Sequence, residues 1–339
     1  MQGVETASST PMKILAQLAR GLNTAGLSLP ILACAALLAL APLYVSDEYI
    51  LRLLIASLYF GSLAMCFDFT GGYINAVNFG FAGFVGLGSY ASALVAIHTG
   101  LGAWAGLLAA MLLTGLVGFL TGLLTLPLRG IYVSLMSWFV GMTLMALASV
   151  MIKVTRGARG LIVPPLFESI TTSGYLYILL VLALLVYVFL RWVIHSPAGL
   201  AFRAIGQNFE AAQASGVDPT HYKLLNFTIS SAAAGLFGGF YAHYVGIVTP
   251  DIMGTGYTLE VMALSFIGGS GSLLGGVFGA FILTPLFDSL KRLMEYRLII
   301  YGLLLILVMI FYPSGLNGIY QVVLQKIDRW KGKSLHDQS

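Results

Sequence analysis

Few side chains in this chain could do chemistry, and their types exclude most reactions. His98, His195, His221, His243 and His336 are scattered, without the spacing that sets two imidazoles on one helix face around a metal. The only Gly-Lys-Ser run, Gly332-Lys333-Ser334, has Ile327 where a phosphate-binding loop requires its first glycine. Any nucleotide must therefore be hydrolysed by another chain. Carboxylates, serines and cysteines show none of the clustering that a membrane hydrolase or lipid-modifying enzyme needs. No cofactor, no metal and no catalytic residue is expected.

The remaining polar groups of interest sit inside apolar runs. An acid at the centre of a bilayer costs ~2.5–3.5 kcal/mol on insertion scales, so one retained there invites a functional reading. Glu260 opens the short apolar run Thr258–Gly269, where it either lines a pathway or stabilises a first helical turn. Asp68 and Asp288 fall near the ends of apolar runs and read as interfacial. Asn75 and Asn78 precede a glycine-rich run, and each must bond across helices or line a polar channel. The run Ile267-Gly268-Gly269-Ser270-Gly271-Ser272 is where a helix is least able to continue. The candidate pathway residues are thus Asn75, Asn78, Glu260, Gly268, Gly269 and Gly271.

One polar island interrupts the apolar sequence, at residues 199–216. Phe202, Ile205, Phe209 and Ala212 recur at three- and four-residue steps, which predicts one helix of roughly four turns with a single apolar stripe. Arg203, Gln207, Asn208 and Glu210 lie off that stripe. Gly216 and Pro219 should stop the helix, and Lys223 should begin the next apolar segment. A short water-exposed helix in such a chain either lies on the membrane surface or is there to be gripped. The grip would use Arg203, Glu210, Ala211, Ala212 and Gly216.

These groups must be positioned by membrane helices. The chain is 58% hydrophobic and only 9% charged, with a mean hydropathy of +0.92, which excludes an ordinary soluble domain. Windows long enough to span a bilayer fall near 27–45, 49–69, 74–97, 103–126, 131–151, 175–194, 223–248, 257–269, 272–290 and 297–312. The eighth is too short for a simple crossing and reads as broken or re-entrant, so eight to ten spans are expected in an all-α bundle. Residues 1–26 read as a cytoplasmic tail without a cleaved signal, 27–312 as the membrane domain with a cytoplasmic loop at 195–222, and 313–339 as a second cytoplasmic tail.

The net charge of +4 does not mark a nucleic-acid surface, because the basic residues form no patch. Ten of the 17 Lys and Arg (Lys13, Arg20, Arg129, Arg191, Arg203, Lys223, Lys326, Arg329, Lys331 and Lys333) fall on the side assigned as cytoplasmic. Cys34 and Cys66 fall in predicted spans and imply no disulfide. The 40 glycines cluster at 71–88, 235–239 and 268–279, with four-residue pairs such as Gly235/Gly239 and Gly271/Gly275. Small residues at that spacing let membrane helices approach closely.

Glu210-Ala211-Ala212 followed by Gly216 has the E-A-A-x-x-x-G spacing found in cytoplasmic loops of ABC importer permeases. Around it run Arg203-Ala204-Ile205, Tyr222-Lys223-Leu224-Leu225, Ala234-Gly235-Leu236-Phe237-Gly238-Gly239 and Gly268-Gly269-Ser270-Gly271-Ser272-Leu273-Leu274-Gly275. With Leu128-Arg129-Gly130-Ile131-Tyr132 and Tyr301-Gly302-Leu303-Leu304, these make the chain resemble the LivM-type permeases of branched-chain amino acid ABC importers over about 65–320. Asn75–Phe81, Thr155–Gly160 and Gly206–Phe209 depart from the family's usual wording.

The resemblance implies a bacterial inner-membrane assembly: two related permeases as a heterodimer, two ABC ATPase subunits and an extracytoplasmic substrate-binding protein. The implied substrates are branched-chain amino acids, with urea, amides or aromatic acids as alternatives. A secondary carrier or channel that needs no ATPase is the reading from another class.

Overall fold

The computed structural model describes residues 29–45, 47–100, 102–167 and 171–290, and isolated positions between 299 and 310. Both predicted tails, most of the predicted span 297–312, and Lys291, Arg292 and Arg297 lie outside the described residues. Twelve helices make up the described fold: α1 (Leu29–Tyr44), α2 (Glu48–Gly71), α3 (Phe81–Thr99), α4 (Gly102–Thr125), α5 (Ile131–Val150), α6 (Ile152–Thr155), α7 (Thr172–His195), α8 (Pro197–Gln207), α9 (Phe209–Ala214), α10 (Pro219–Val245), α11 (Thr255–Gly269) and α12 (Gly275–Leu290). A two-residue antiparallel pair, β1 (Leu161–Ile162) with β2 (Ile247–Val248), ties two loops together in the register Leu161↔Val248. The all-α expectation holds.

Polar residues stand where the apolar runs end, and they start the helices. Asp47 accepts from the Tyr49 N–H at 2.9 Å ahead of α2, and Thr171 accepts from Gly174 at 3.3 Å ahead of α7. Asp218 accepts from Thr220 at 2.9 Å ahead of α10. Pro219 therefore occupies the first position of α10, where its missing N–H costs nothing, instead of ending the helix before it.

Five helices (α2, α3, α4, α5 and α7) are long and apolar enough to cross a bilayer. α1 and α12 contain shorter apolar segments, Cys34–Tyr44 and Gly275–Ser289. The membrane protein is multi-pass.

α10 is the central post. Its 27 residues extend about 40 Å, and it packs against α3, α4 and α2. Glycines permit the closest crossings: an added Cβ on Gly88 of α3 would strike the Gly235 backbone of α10, and one on Gly238 would strike the Val85 carbonyl. The Ser89 hydroxyl closes the same crossing by donating to the Gly238 carbonyl at 2.7 Å. Around this post lie the fully buried rings of Phe67, Phe69, Phe81, Phe84, Phe227, Phe237 and Phe240. Apolar side chains such as Leu108, Leu112, Leu116, Phe139 and Leu185 point outward instead, as expected of a surface that meets lipid or another membrane subunit.

One expectation is corrected. Asp68 is not interfacial: it is 1% exposed inside the bundle. His243 is also buried, between Ser92 Oγ, 2.8 Å from Nε2, and the Pro164 carbonyl, 2.7 Å from Nδ1. Cys66 is buried and Cys34 is exposed on α1, and both are free thiols.

Candidate functional site

The polar island forms two helices where one was predicted. α8 ends at Gln207 because Asn208 leaves the helical conformation (φ −154°, ψ 109°) and caps a new start. Its Oδ1 accepts from the Ala211 N–H at 3.0 Å. α9 ends at Ser215 and Gly216, the latter at φ 85°, a conformation that favours glycine. The stripe Phe202, Ile205 and Ala212 is buried, whereas Arg203, Glu210, Ala211 and Gly216 are exposed. Four of the five proposed gripping residues thus point outward, and Ala212 anchors the element from within.

α8 rests directly on the end of α2. The Phe202 ring meets Phe69 edge-on with centroids 5.6 Å apart, and the Arg203 guanidinium lies 5.6 Å from the centre of the Tyr73 ring. An added Cβ on Gly206 would strike the Tyr73 carbonyl, so the two backbones touch. α9 is held differently. Phe209 is flanked by Arg129 at 5.0 Å and Lys223 at 5.5 Å, both measured to its ring centre. Glu210 Oε1 accepts from Arg129 Nη1 at 3.1 Å across an open surface. Lys223 lies within α10 and donates to the Leu128 carbonyl at 3.4 Å. The α4–α5 loop and the α8–α9 element therefore form one face at one end of the bundle.

Above this face two chain breaks meet. Residues 72–80 are irregular between α2 and α3, and 270–274 interrupt the chain between α11 and α12. Asp68 joins them: its carbonyl accepts from Gly72 N–H at 2.7 Å, and its Oδ1 accepts from Gly271 N–H at 2.8 Å. Gly271 has φ 77° and Gly269 φ 117°, so the helix ends where the glycine run made continuation hardest. Gly268 is packed against Gly275, where an added Cβ would strike the carbonyl, so it closes the α11–α12 corner.

The predicted pathway residues do not converge on one point. Asn75 is exposed at φ 58°, a left-handed conformation that asparagine tolerates. Asn78 is buried, and its Oδ1 accepts from the nearby Gly80 N–H at 3.0 Å and turns the chain into α3. Glu260 is half-buried in the second turn of α11, within electrostatic reach of Tyr241 and Tyr257. Tyr257 in turn donates to the Tyr59 hydroxyl at 3.0 Å. Sequence reasoning missed Asp68, Asn226 and Ser230. The last two donate from α10 to the Phe69 and Cys66 carbonyls at 2.7 and 2.8 Å. Their signal was present as two polar residues at four-residue spacing, on one face of α10.

The sequence that builds this bundle matches a known family. The family described as branched-chain amino acid transport system, permease component, is matched over residues 49–309. The chain belongs to this permease family. Among its curated family relatives are proteins named high-affinity branched-chain amino acid transport system permease protein LivM. That of Salmonella typhimurium is 30% identical over 266 residues, covering 70% of this chain and 62% of the relative. That of Escherichia coli K12 is 29% identical over the same length, with the same coverage. The autoinducer 2 import system permease protein LsrC of Yersinia pseudotuberculosis is 30% identical over 232 residues, 64% of each chain. The chain thus spans slightly less than two thirds of the length of these permeases. No solved structure matches it.

Proposed function

We propose that this chain is a permease subunit of an ABC importer for branched-chain or related amino acids in the bacterial inner membrane. It forms half of the translocation path beside a second, related permease. Two ATPase subunits grip the α8–α9 element from the cytoplasm, and an extracytoplasmic binding protein delivers the substrate. The observation that carries this reading is α8–α9 itself: a polar helix pair, exposed on Arg203, Glu210, Ala211 and Gly216, seated on the end of a membrane helix. Closure of the ATPases would then move α2 and α10 and shift the population between inward- and outward-open states.

The charge distribution supports the orientation. Arg129, Arg191, Arg203 and Lys223 belong to the helix ends and loops around α8–α9, whereas Arg52 lies near the opposite end of α2, and Lys153, Arg156 and Arg159 lie in α6 and the turns that follow it. The helix sequence supports the count of eight to ten spans. α11, at 15 residues or about 22 Å, is too short for the ~30 Å hydrocarbon core and serves as a partial crossing. Asn75, Asn78, Glu260 and Gly268–Gly271 are assigned to the region of the pathway.

The substrate class rests on the LivM relatives; the LsrC relatives are named for autoinducer 2 import, and urea, amides and aromatic acids are the alternative cargoes. Co-purification with the ATPases, followed by ATP-dependent uptake in vesicles across a panel of these compounds, is the test. Branched-chain uptake that requires ATP is expected. Uptake that persists without ATP would instead establish a secondary carrier or channel.

A further inference from the structure

Resting on this transport reading, we propose that Asp68 is a positioning residue that passes movement of α8 to the chain break between α11 and α12. The path is short and contiguous. Arg203 and Gly206 of α8 hold the ring and carbonyl of Tyr73. Tyr73 follows Gly72, whose backbone is so close that an added Cβ would strike both Asp68 Oδ1 and the Gly271 nitrogen. Asp68 then holds Gly271 through its carboxylate at 2.8 Å. A displacement of α8 therefore reaches the second break through touching groups, beginning with the backbone contact of Gly206 on Tyr73.

The second break is the part of this path that can rearrange. Ser270 and Gly271 are exposed, and the two glycines flanking Ser270 both have positive φ. Asp68 is almost fully buried, and its carboxylate is met from both flanks of the break: by the Ser265 hydroxyl one turn before it and by the Gly271 and Ser272 N–H groups within it. A buried acid is tolerated where such donors surround it. These donors tie the end of α2 to both sides of the break, so the two move together. Neither glycine packing nor a surface-lying α8 requires such an acid.

The test uses the assembled complex carrying Ser270→Cys, with Cys34→Ser, and measures labelling by a water-soluble maleimide with and without trapped ATP. Wild-type Asp68 should give a nucleotide-dependent labelling rate, changed by about fivefold, the lower range of allosteric coupling. Asp68→Leu should abolish that dependence while ATPase subunits still co-purify, and uptake should fall with it. Asp68→Asn keeps an acceptor oxygen for Gly271 and should retain the dependence. If the leucine variant fails to assemble, Asp68→Ser, whose hydroxyl stops short of Gly271, must lose the dependence in its place. Nucleotide-dependent labelling in Asp68→Leu or Asp68→Ser, or its loss in Asp68→Asn, overturns the role of Asp68 alone. Wild-type uptake that needs no ATP overturns the transport reading and this role together.

Discussion

The side-chain amide of Asn226, wholly buried in α10, donates to the Phe69 carbonyl in the last turn of α2 at 2.7 Å. The final carbonyls of a helix have no intrahelical donors, and in a bilayer no water replaces them. Ser230, one turn further along α10, donates to the Cys66 carbonyl at 2.8 Å, inside α2 rather than at its end. Asn226→Leu should therefore destabilise the purified protein by about 1–3 kcal/mol, the cost of a buried acceptor left unpaired. Thermal unfolding in detergent measures this. A melting temperature equal to that of the wild type would show that the contact is incidental.

Glycine positions should differ sharply in tolerance. Gly88→Ala drives a methyl into the Gly235 backbone, which cannot move aside as a side chain can. Overpacking of this kind costs about 1–3 kcal/mol or more. Gly100→Ala meets no atom within 4 Å and strains only a backbone at φ 64°, worth about 1–2 kcal/mol. Folded yield by fluorescence-detected gel filtration should drop much further for Gly88→Ala, and equal yields would contradict the crossing geometry.

Glu210→Gln should leave stability within about 0.5 kcal/mol, because its pair with Arg129 is open to water on both sides. Combined with replacement of Gly216, it should uncouple ATP hydrolysis from uptake while membrane insertion stays intact. The ratio of substrate transported to ATP consumed is the readout. Normal coupling in the double variant would refute docking at α9.

Phe209→Ala removes the ring between Arg129 and Lys223, a loss of about 0.5–1 kcal/mol for the exposed Arg129 contact and up to about 2 kcal/mol for that with the buried Lys223. α9 should then loosen from the α4–α5 loop. Deuterium exchange across residues 208–218 should rise, with α10 beyond its first turns unchanged. Unaltered exchange would mean that α9 is held by its backbone alone.

His243 carries its proton on Nδ1, because the Pro164 carbonyl beside that nitrogen can only accept. Nε2 is then left to accept the Ser92 hydroxyl proton at 2.8 Å. His243→Phe should release the loop containing Leu161–Ile162 from α10, seen as faster exchange at Val163–Leu166. Ser92→Ala should produce a smaller change, since the Pro164 contact survives it.

The local order of this protein was legible in its residues. Apolar run lengths determined the five helices long enough to cross a bilayer, since backbone groups in lipid can be satisfied only within the helix itself. The glycine run 268–272 determined where α11 ends, and Gly216 where α9 ends, because left-handed backbone is readily adopted only without a Cβ. The exposed face of the polar island followed from its three- and four-residue apolar steps.

What partners meet across the bundle was not legible. Asn208 splitting one predicted helix into two depends on a side chain choosing a cap over continued helix, a contest that spacing alone does not decide. Asp68 lies near the end of an apolar run in the sequence, the ordinary position of an interfacial acid, and only the fold brings Gly271, over 200 residues away in the chain, to its carboxylate. Asn78 reads from the sequence as bonding across helices or lining a channel, and only the fold shows its Oδ1 accepting from Gly80 of its own chain. Helix formation depends on neighbours in sequence, so the chain itself decides it. Hydrogen-bond partners between helices depend on crossing geometry, which exists only once the glycines of α3 and α10 have come together.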